Sequence, residues 1–324
     1  MAPAARNRAG TDDRAAALTM ERDPLETEKL DLTVVTPSYG YAHYLRDAIV
    51  SVAEQDGITT EHVIQDGAST DGTVELLQEL DDLVDWVSEP DQGQSDALNR
   101  GIARARGRWI AWLNADEFYL PGGLTALVRE GDRTGADVLY GDTLFSDGDG
   151  RLTRLLPEHR FSPFVLRSYG CFISTVSCIV RTSALGDEPI DATMRRMMDW
   201  DLYLRLLSER AMFRHVSVPV GVFRAHDTRV TATERRGFFQ RLNRDDGFGR
   251  EYDMVRERYG AMRMRRAGHL AHGALKLADG GYTRQARARK LNGADLRWWE
   301  SPGAAEEWNR VRAACYPGSN GGGP

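Results

Sequence analysis

Between residues 31 and 135, short apolar runs alternate with longer amphipathic stretches, and that alternation leaves few folds open to the chain. "LDLTVVTPSY", "EHVIQDG", "LVDWVSEP" and "RWIAWLN" have the composition of strands. "AHYLRDAIVSVAEQ", "TDGTVELLQELDD", "GQSDALNRGIARARG" and "PGGLTALVREGDRTG" follow them in turn with helical spacing; Leu45, Ile49 and Val52 fall on one face of the first. Parallel strands cannot be joined by a tight turn, and a helix is the usual crossover between them. Four successive strand–helix units therefore predict an α/β fold, a mostly parallel central sheet flanked by helices.

Ligands of such sheets sit outside the carboxyl ends of the strands. Polar residues gather at those ends: Thr36 and Ser38, then Gln65 and Asp66, then Glu89 and Asp91, then Asn114, Asp116 and Glu117. One polar loop needs no explanation, but four on one edge predict a shared site. The fourth is the sharpest, because carboxylates that directly follow the apolar run "WIAWL" need protons, partners or a metal. Asp116 and Glu117 are hard oxygen ligands, suited to Mg²⁺ or Mn²⁺ held jointly with a substrate diphosphate. Asn114 suits a neutral hydrogen-bonding role. Asp66 can accept a hydrogen bond from a base N–H, whereas Asp71 suits a helix cap. Gly93 lets backbone approach a ligand, and Gln94 and Asp96 occupy a first helical turn where N–H groups are free. The competing reading of this stretch, of Asp91 above all and also of Asp96, is helix capping and surface charge.

The second half is mixed. "ADVLYGDTLFSDGDGRLTRLL" reads as a hairpin turning at Gly148-Asp149-Gly150, "STVSCIVRTSAL" as a strand, "MMDWDLYLRLLSE" as a helix and "FRHVSVPVGVFRAH" as a strand. Asp199 and Asp201 are two apart on that helix and do not share a face. Asp199 is assigned to the site as general base, and Asp201 to support or to an outward charge, for instance paired with Arg205. His226 ends the last strand, placed to ligate the same metal or to touch a diphosphate.

From about residue 234 the pattern is helical and basic: residues 235–290 hold 15 Lys/Arg against 6 Asp/Glu. That stretch is either a solvated helical cap or a surface for an anionic acceptor or a membrane. Trp298 and Trp299 either stack on sugar or pack in a core. A formal net charge of −6 argues against a general nucleic-acid partner. Cys171, Cys178 and Cys315 lack metal-ligand spacing and leave one unpaired in any disulfide scheme, as expected of the cytoplasm. No apolar run approaches the ~20 residues of a membrane span, so any membrane contact is peripheral. Residues 1–29 read as a disordered leader and 316–324 as a disordered tail.

Taken together, "VVTPSYGYAHYLRDAIVSVAEQ", "DGASTDGTVELL", "SEPDQGQSDALNRGIARARGRWIAWLNADEFYLPGGL", "YGD" at 140–142, "MMDWDLYLRLL" and "FRAH" resemble glycosyltransferase family 2 over residues 31–227. The resemblance implies a GT-A fold, a nucleotide-diphospho-sugar donor and inversion at the transferred carbon. It implies that Thr36, Pro37, Ser38 and Tyr39 contact the nucleotide and Asp66 the base. Glu89, Gln94 and Asp96 would line the ribose and sugar-phosphate region. The family's Asp-x-Asp motif falls on Asn114-Ala115-Asp116, so Asp116 must supply the metal contact, with Glu117 beside it. Its base position falls on Asp199, and its last His on His226. The implied organisation is a donor half over 30–135, an acceptor half over 136–233 and a helical extension over 234–315. UDP is the first expectation for the nucleotide, an unidentified hydroxyl or amine the acceptor. Bacterial polysaccharide, glycoconjugate or secondary-metabolite synthesis is the expected setting. Nucleotidyl transfer and non-catalytic binding of a sugar nucleotide or glycan remain the competing functions.

Overall fold

The computed structural model describes residues 30–226 and 247–317. The expected leader, the domain boundary at 233/234 and all but two residues of the expected tail lie outside the described residues.

The four strand–helix units form in the expected order. Strands β1 (Leu32–Ser38), β2 (Thr60–Asp66), β3 (Asp85–Ser88) and β4 (Trp109–Trp112) alternate with helices α1 (Ala42–Ala53), α2 (Thr73–Glu79), α3 (Gln94–Ala103) and α4 (Gly123–Thr134). β1 pairs in parallel with both β2 and β4, and β2 with β3. All seven residues of β1 are buried, as a strand covered on both faces requires. Leu45, Ile49 and Val52 of α1 turn inward, each fully buried aliphatic side chain contributing about 1.5–3 kcal/mol. Helix α3 lies so close on the sheet that a Cβ on Gly101 would meet Val35 Cγ1 at 2.5 Å.

One sheet of nine strands continues past β4 in the order β3-β2-β1-β4-β8-β6-β9-β5, with β7 paired to β6. β5 (Phe118–Tyr119) is too short to leave a period in the sequence. The expected hairpin is β6 (Val138–Ser146) against β7 (Leu152–Leu156). After it come helix α5 (Pro163–Ser168), strand β8 (Cys178–Arg181), helix α6 (Met198–Ser208) and strand β9 (Phe213–Arg224). β8 runs antiparallel to both β4 and β6, while β9 runs parallel to β6 and antiparallel to β5. The sheet is thus parallel in its first half and mixed in its second.

Among the described residues four further helices follow: α7 (Gly247–Tyr259), α8 (Arg265–Ala278), α9 (Gly281–Arg289) and α10 (Pro302–Cys315). Ser301 caps α10, its Oγ accepting the Ala304 N–H at 3.1 Å with Pro302 in the first turn. Trp299 meets the Phe118 ring edge-on at 5.3 Å, and Trp308 and Val311 are buried in the same cluster, so the two adjacent tryptophans pack on the core. A buried polar latch ties these helices to the sheet. Asp142 on β6 accepts from Arg284 Nε at 2.7 Å, Tyr316 Oη at 2.8 Å and the Glu158 N–H at 2.8 Å. His215 Nε2 lies 3.2 Å away. Burial pushes the Asp142 carboxyl up, but the His215 contact and the Arg284 charge outweigh it and hold it below the usual range. Removing one partner of a buried charge pair costs about 3–5 kcal/mol.

Candidate active site

The carboxyl ends of β1 to β4 form one continuous polar edge. At the end of β1, Thr36 Oγ1 is 2.8 Å from His62 Nε2 inside the sheet, and Pro37 and Ser38 are buried. Ser38 Oγ is buried without a hydrogen-bond partner among the described residues. Tyr39 is 71% exposed, which makes it the ring on this edge most open to a flat ligand. A Cβ on Gly67 would meet Asp91 Oδ2 at 2.9 Å and Tyr39 Cδ2 at 3.2 Å, so the glycine lets these two residues converge. Asp66 is fully buried and accepts from Ser69 N at 2.9 Å, Ser69 Oγ at 2.6 Å and Ser88 Oγ at 2.7 Å. It fixes the turn whose Ser69 Oγ receives the Gly40 N–H at 2.8 Å. Asp71 is the expected cap, accepting from Ala42 N at 3.0 Å and Thr73 Oγ1 at 2.6 Å.

After β3, Glu89 and Asp96 converge on Arg100, at 2.9 Å and 2.8 Å. Gln94 reaches the next strand end, its Nε2 donating to Asn114 Oδ1 at 2.7 Å. Asn114 is the hub of the fourth cluster. Its Oδ1 also accepts from Trp112 Nε1 at 2.9 Å, and its Nδ2 donates to Glu117 Oε2 at 2.9 Å. Glu117 is therefore turned toward Asn114. Ala115 is buried between them. Asp116, 4% exposed, points to the far end of β9, where His226 Nε2 lies 2.9 Å from its Oδ2. The Tyr44 ring of α1 covers His226 at 4.5 Å.

This donor set suits a divalent cation. One carboxylate and one imidazole, already in contact, leave most of a coordination sphere to phosphate oxygens and water, as Mg²⁺ and Mn²⁺ prefer. Among the described residues no cluster of three His, Cys, Asp or Glu side chains could enclose a metal alone, so substrate oxygens would have to complete the set.

Asp199 comes from the other side. Helix α3 connects the two: Ser95, next to Gln94, donates from Oγ to the Met194 carbonyl at 2.5 Å and touches Met198 Sδ at 3.3 Å. Asp199, the next residue, lies in the first turn of α6 with Oδ1 accepting the Trp200 N–H at 2.7 Å. Burial pushes its carboxyl up, against the pull of that N–H and of the Cys171 thiol beside it. Asp201 departs from the expectation of an outward pair with Arg205. It is buried and accepts from Arg258 Nη1 at 2.7 Å, while Arg205 pairs with Glu209. A helix packed across that face supplies a closer cation than the next turn does.

A sequence model of glycosyl transferase family 2 matches residues 33–202, more than half of the chain. The chain belongs to glycosyltransferase family 2. Among curated members of the family's biosynthetic relatives, the succinoglycan biosynthesis protein ExoO of Rhizobium meliloti (strain 1021) is 34% identical over 130 residues. That match covers 40% of this chain and 37% of ExoO, so the chain spans little more than a third of that relative's length. A PGL/p-HBAD biosynthesis glycosyltransferase of Mycobacterium bovis (strain BCG / Pasteur 1173P2) is 27% identical over 202 residues, 57% of this chain and 74% of that protein. Among solved structures, S. aureus TarS 1-349 in complex with UDP-GlcNAc superposes with a TM-score of 0.52 at 16% identity, over 88% of this chain and 90% of that one. That likeness establishes the GT-A fold.

In this family-2 chain the edge thus joins Gln94 to Asn114 and Asp116 to His226. Glu89 and Asp96 form a separate cluster around Arg100. Sequence reasoning missed Tyr44, Arg100 and Cys171. Arg100 sits four residues after Asp96, the spacing of a helical ion pair, and was legible. Tyr44 and Cys171 reach the site only through tertiary packing.

Proposed function

We propose that the chain transfers a sugar, with inversion, from a nucleotide-diphospho-sugar to an acceptor hydroxyl or amine in bacterial polysaccharide or glycoconjugate synthesis, with a UDP-sugar as the first donor to test. The observation that carries this reading is the pair of unlike acids flanking α3: Asp116 against His226, and Asp199 with its carboxyl raised by burial. The TarS complex with UDP-GlcNAc supports the choice of nucleotide, as a likeness of fold.

In this reading residues 30–135 serve the donor and 136–233 the acceptor. Ser38 and Tyr39 take the base and ribose, on a turn held by Thr36, Pro37 and Asp66. Glu89, Asp96 and Gln94 border the sugar phosphate. Asp116 and His226 would hold Mg²⁺ or Mn²⁺, with Glu117 behind Asn114, and such a cation would supply charge neutralisation at the leaving oxygen. Asp199 takes the acceptor proton, the acceptor oxygen or nitrogen bonds to the sugar carbon, and the bond from that carbon to the diphosphate breaks. The electron pair leaves with the nucleoside diphosphate. Positioning and electrostatics supply most of the acceleration.

The test is a panel of UDP- and other nucleotide sugars with Mn²⁺, read by thermal shift and product analysis. Release of nucleoside diphosphate is expected. Pyrophosphate release would replace this reading with nucleotidyl transfer, and binding without turnover with a binding module.

No helix among the described residues is long and apolar enough to cross a membrane. A peripheral contact has a candidate face. Leu270 and Leu277, 77% and 69% exposed, lie two turns apart on α8, and Arg266 shares their side one turn before Leu270. Arg263 and Arg266 have no acidic partner among the described residues. Exposed leucines rimmed by arginines suit an anionic bilayer surface. Co-sedimentation with phosphatidylglycerol-containing vesicles, lost in Leu270→Glu/Leu277→Glu and absent with neutral phosphatidylcholine, is the expected result; no sedimentation by the unmutated chain would remove the face.

A further inference from the structure

Helix α7 reaches back over the segment that carries Asp199. Glu251, 9% exposed, directs its carboxylate at three consecutive backbone donors: Arg195 N at 3.1 Å, Arg196 N at 2.8 Å and Met197 N at 3.0 Å. Successive N–H groups curled around one anion make a strong, directional contact. These residues lead directly into α6, and Asp199 stands two residues beyond the last of them. Two turns along α7, Arg258 Nη1 donates to Asp191 Oδ2 at 3.0 Å and to Asp201 Oδ1 at 2.7 Å. Between these anchors Tyr252 stacks on Trp200 at 5.8 Å with the planes 26° apart. The helix therefore grips residues 191–201 before and within the first turn of α6.

We infer that Glu251 is a positioning residue: its carboxylate, through the N–H groups of residues 195–197, sets the place of Asp199 against the acceptor. The inference rests on the proposed role of Asp199. The physical need is specific. The turn before α6 exposes backbone donors that the helix itself cannot satisfy. Left free, they are available to a nearby carboxylate, and Asp199 follows them by two residues. Glu251 takes those donors, and the Asp199 carboxylate is left to the Trp200 N–H, its own N–H and the Cys171 thiol. Near-attack geometry tolerates little error, and a misplacement of about 1 Å can cost on the order of 100-fold in rate. The role also gives the helical extension a part in the reaction, since α7 lies outside the stretch matched by the family model.

The test uses the full chain and four proteins: unmutated, Glu251→Gln, Glu251→Asp and Asp199→Asn. Hydrogen exchange is read by mass spectrometry on peptides covering residues 191–201 and, for reference, β1 and β2. Hydrolysis is read as nucleoside diphosphate released from each UDP-sugar of the panel with water as acceptor. Glu251→Gln is expected to exchange at least about 10-fold faster in 191–201 with the reference peptides unchanged. Its turnover should fall about 10- to 100-fold at an unaltered donor KM, with part regained in Glu251→Asp. Unchanged exchange in 191–201 overturns the inference, as does faster exchange throughout, which marks a general structural role. Full turnover in Glu251→Gln beside an inactive Asp199→Asn removes the positioning role alone. Full turnover in Asp199→Asn removes the base and the positioning role together. Should Glu251→Gln fail to fold, Arg258→Gln loosens the same segment from its other end and is held to the same outcomes.

Discussion

The two acids proposed for the site sit in different surroundings. Asp116 closes the parallel half of the sheet, buried at the end of β4 against an imidazole at 2.9 Å. Asp199 opens a helix in the mixed half, beside a thiol and one backbone N–H, and burial pushes its carboxyl up. In the proposed reading the first carboxylate shares a cation with the imidazole beside it. The second suits an anion that must give up water and accept a proton. Under the proposed roles, a single fold prepares two carboxylates for different duties through what surrounds each.

Asp199→Asn is the hardest blow to this contrast. Transfer is expected to fall by about 10²–10⁴-fold, the usual share of general base catalysis, with donor binding by calorimetry retained. A raised folded-state carboxyl favours the fold while protonated, and that contribution is lost as pH rises through it. At neutral pH the charged Asp199 therefore costs stability, so Asp199→Asn should also melt at a higher temperature. In the unmutated protein activity should fall as pH drops through the raised value, giving an acid limb above the ordinary Asp range. A variant that keeps its activity, or melts lower, breaks the assignment. Asp116→Ala is expected to weaken donor binding about 10- to 100-fold with Mn²⁺ present, or ~1.5–3 kcal/mol, and far less without it. Equal loss under both conditions would detach Asp116 from the metal.

Asn114→Asp gives the smallest and most discriminating effect. It restores the acid of the Asp-x-Asp motif, but the Asn114 amide now donates to Glu117 at 2.9 Å. A second carboxylate there leaves Glu117 without that donor, at about 1–3 kcal/mol. The variant should melt lower than the unmutated chain without metal, and the gap should narrow on adding Mn²⁺. An unchanged melting temperature without metal would mean that Asn114 is not chosen for Glu117.

The parallel half was legible because its determinants are local. Each strand is a short apolar run, each helix carries Leu45-Ile49-Val52-like spacing, and the order of units fixes the pairing. The polar edge followed from that topology, and there Gln94 meets Asn114 while Asp116 turns to His226. The mixed half was not legible in the same way. β5 is two residues long, and the pairing of β8 between β4 and β6 depends on partners far along the chain. The partner of Asp201 was misjudged for the same reason: an i,i+4 rule sees Arg205 but cannot see Arg258 on another helix. Asp66 also differs from its simplest reading, since Ser69 and Ser88 already engage its carboxylate.

The latch at Asp142 bears on how this enzyme family could be re-engineered. Exchanging the helical end of the chain for one from a relative, to change what is glycosylated, would transplant Arg284 and Tyr316 away from a buried anion that stays behind. A graft lacking an equivalent cation would strand that charge in an apolar interior. Successful chimeras should therefore inherit β6, His215 and the last helices as a matched set, or replace Asp142 by a neutral side chain in the same step.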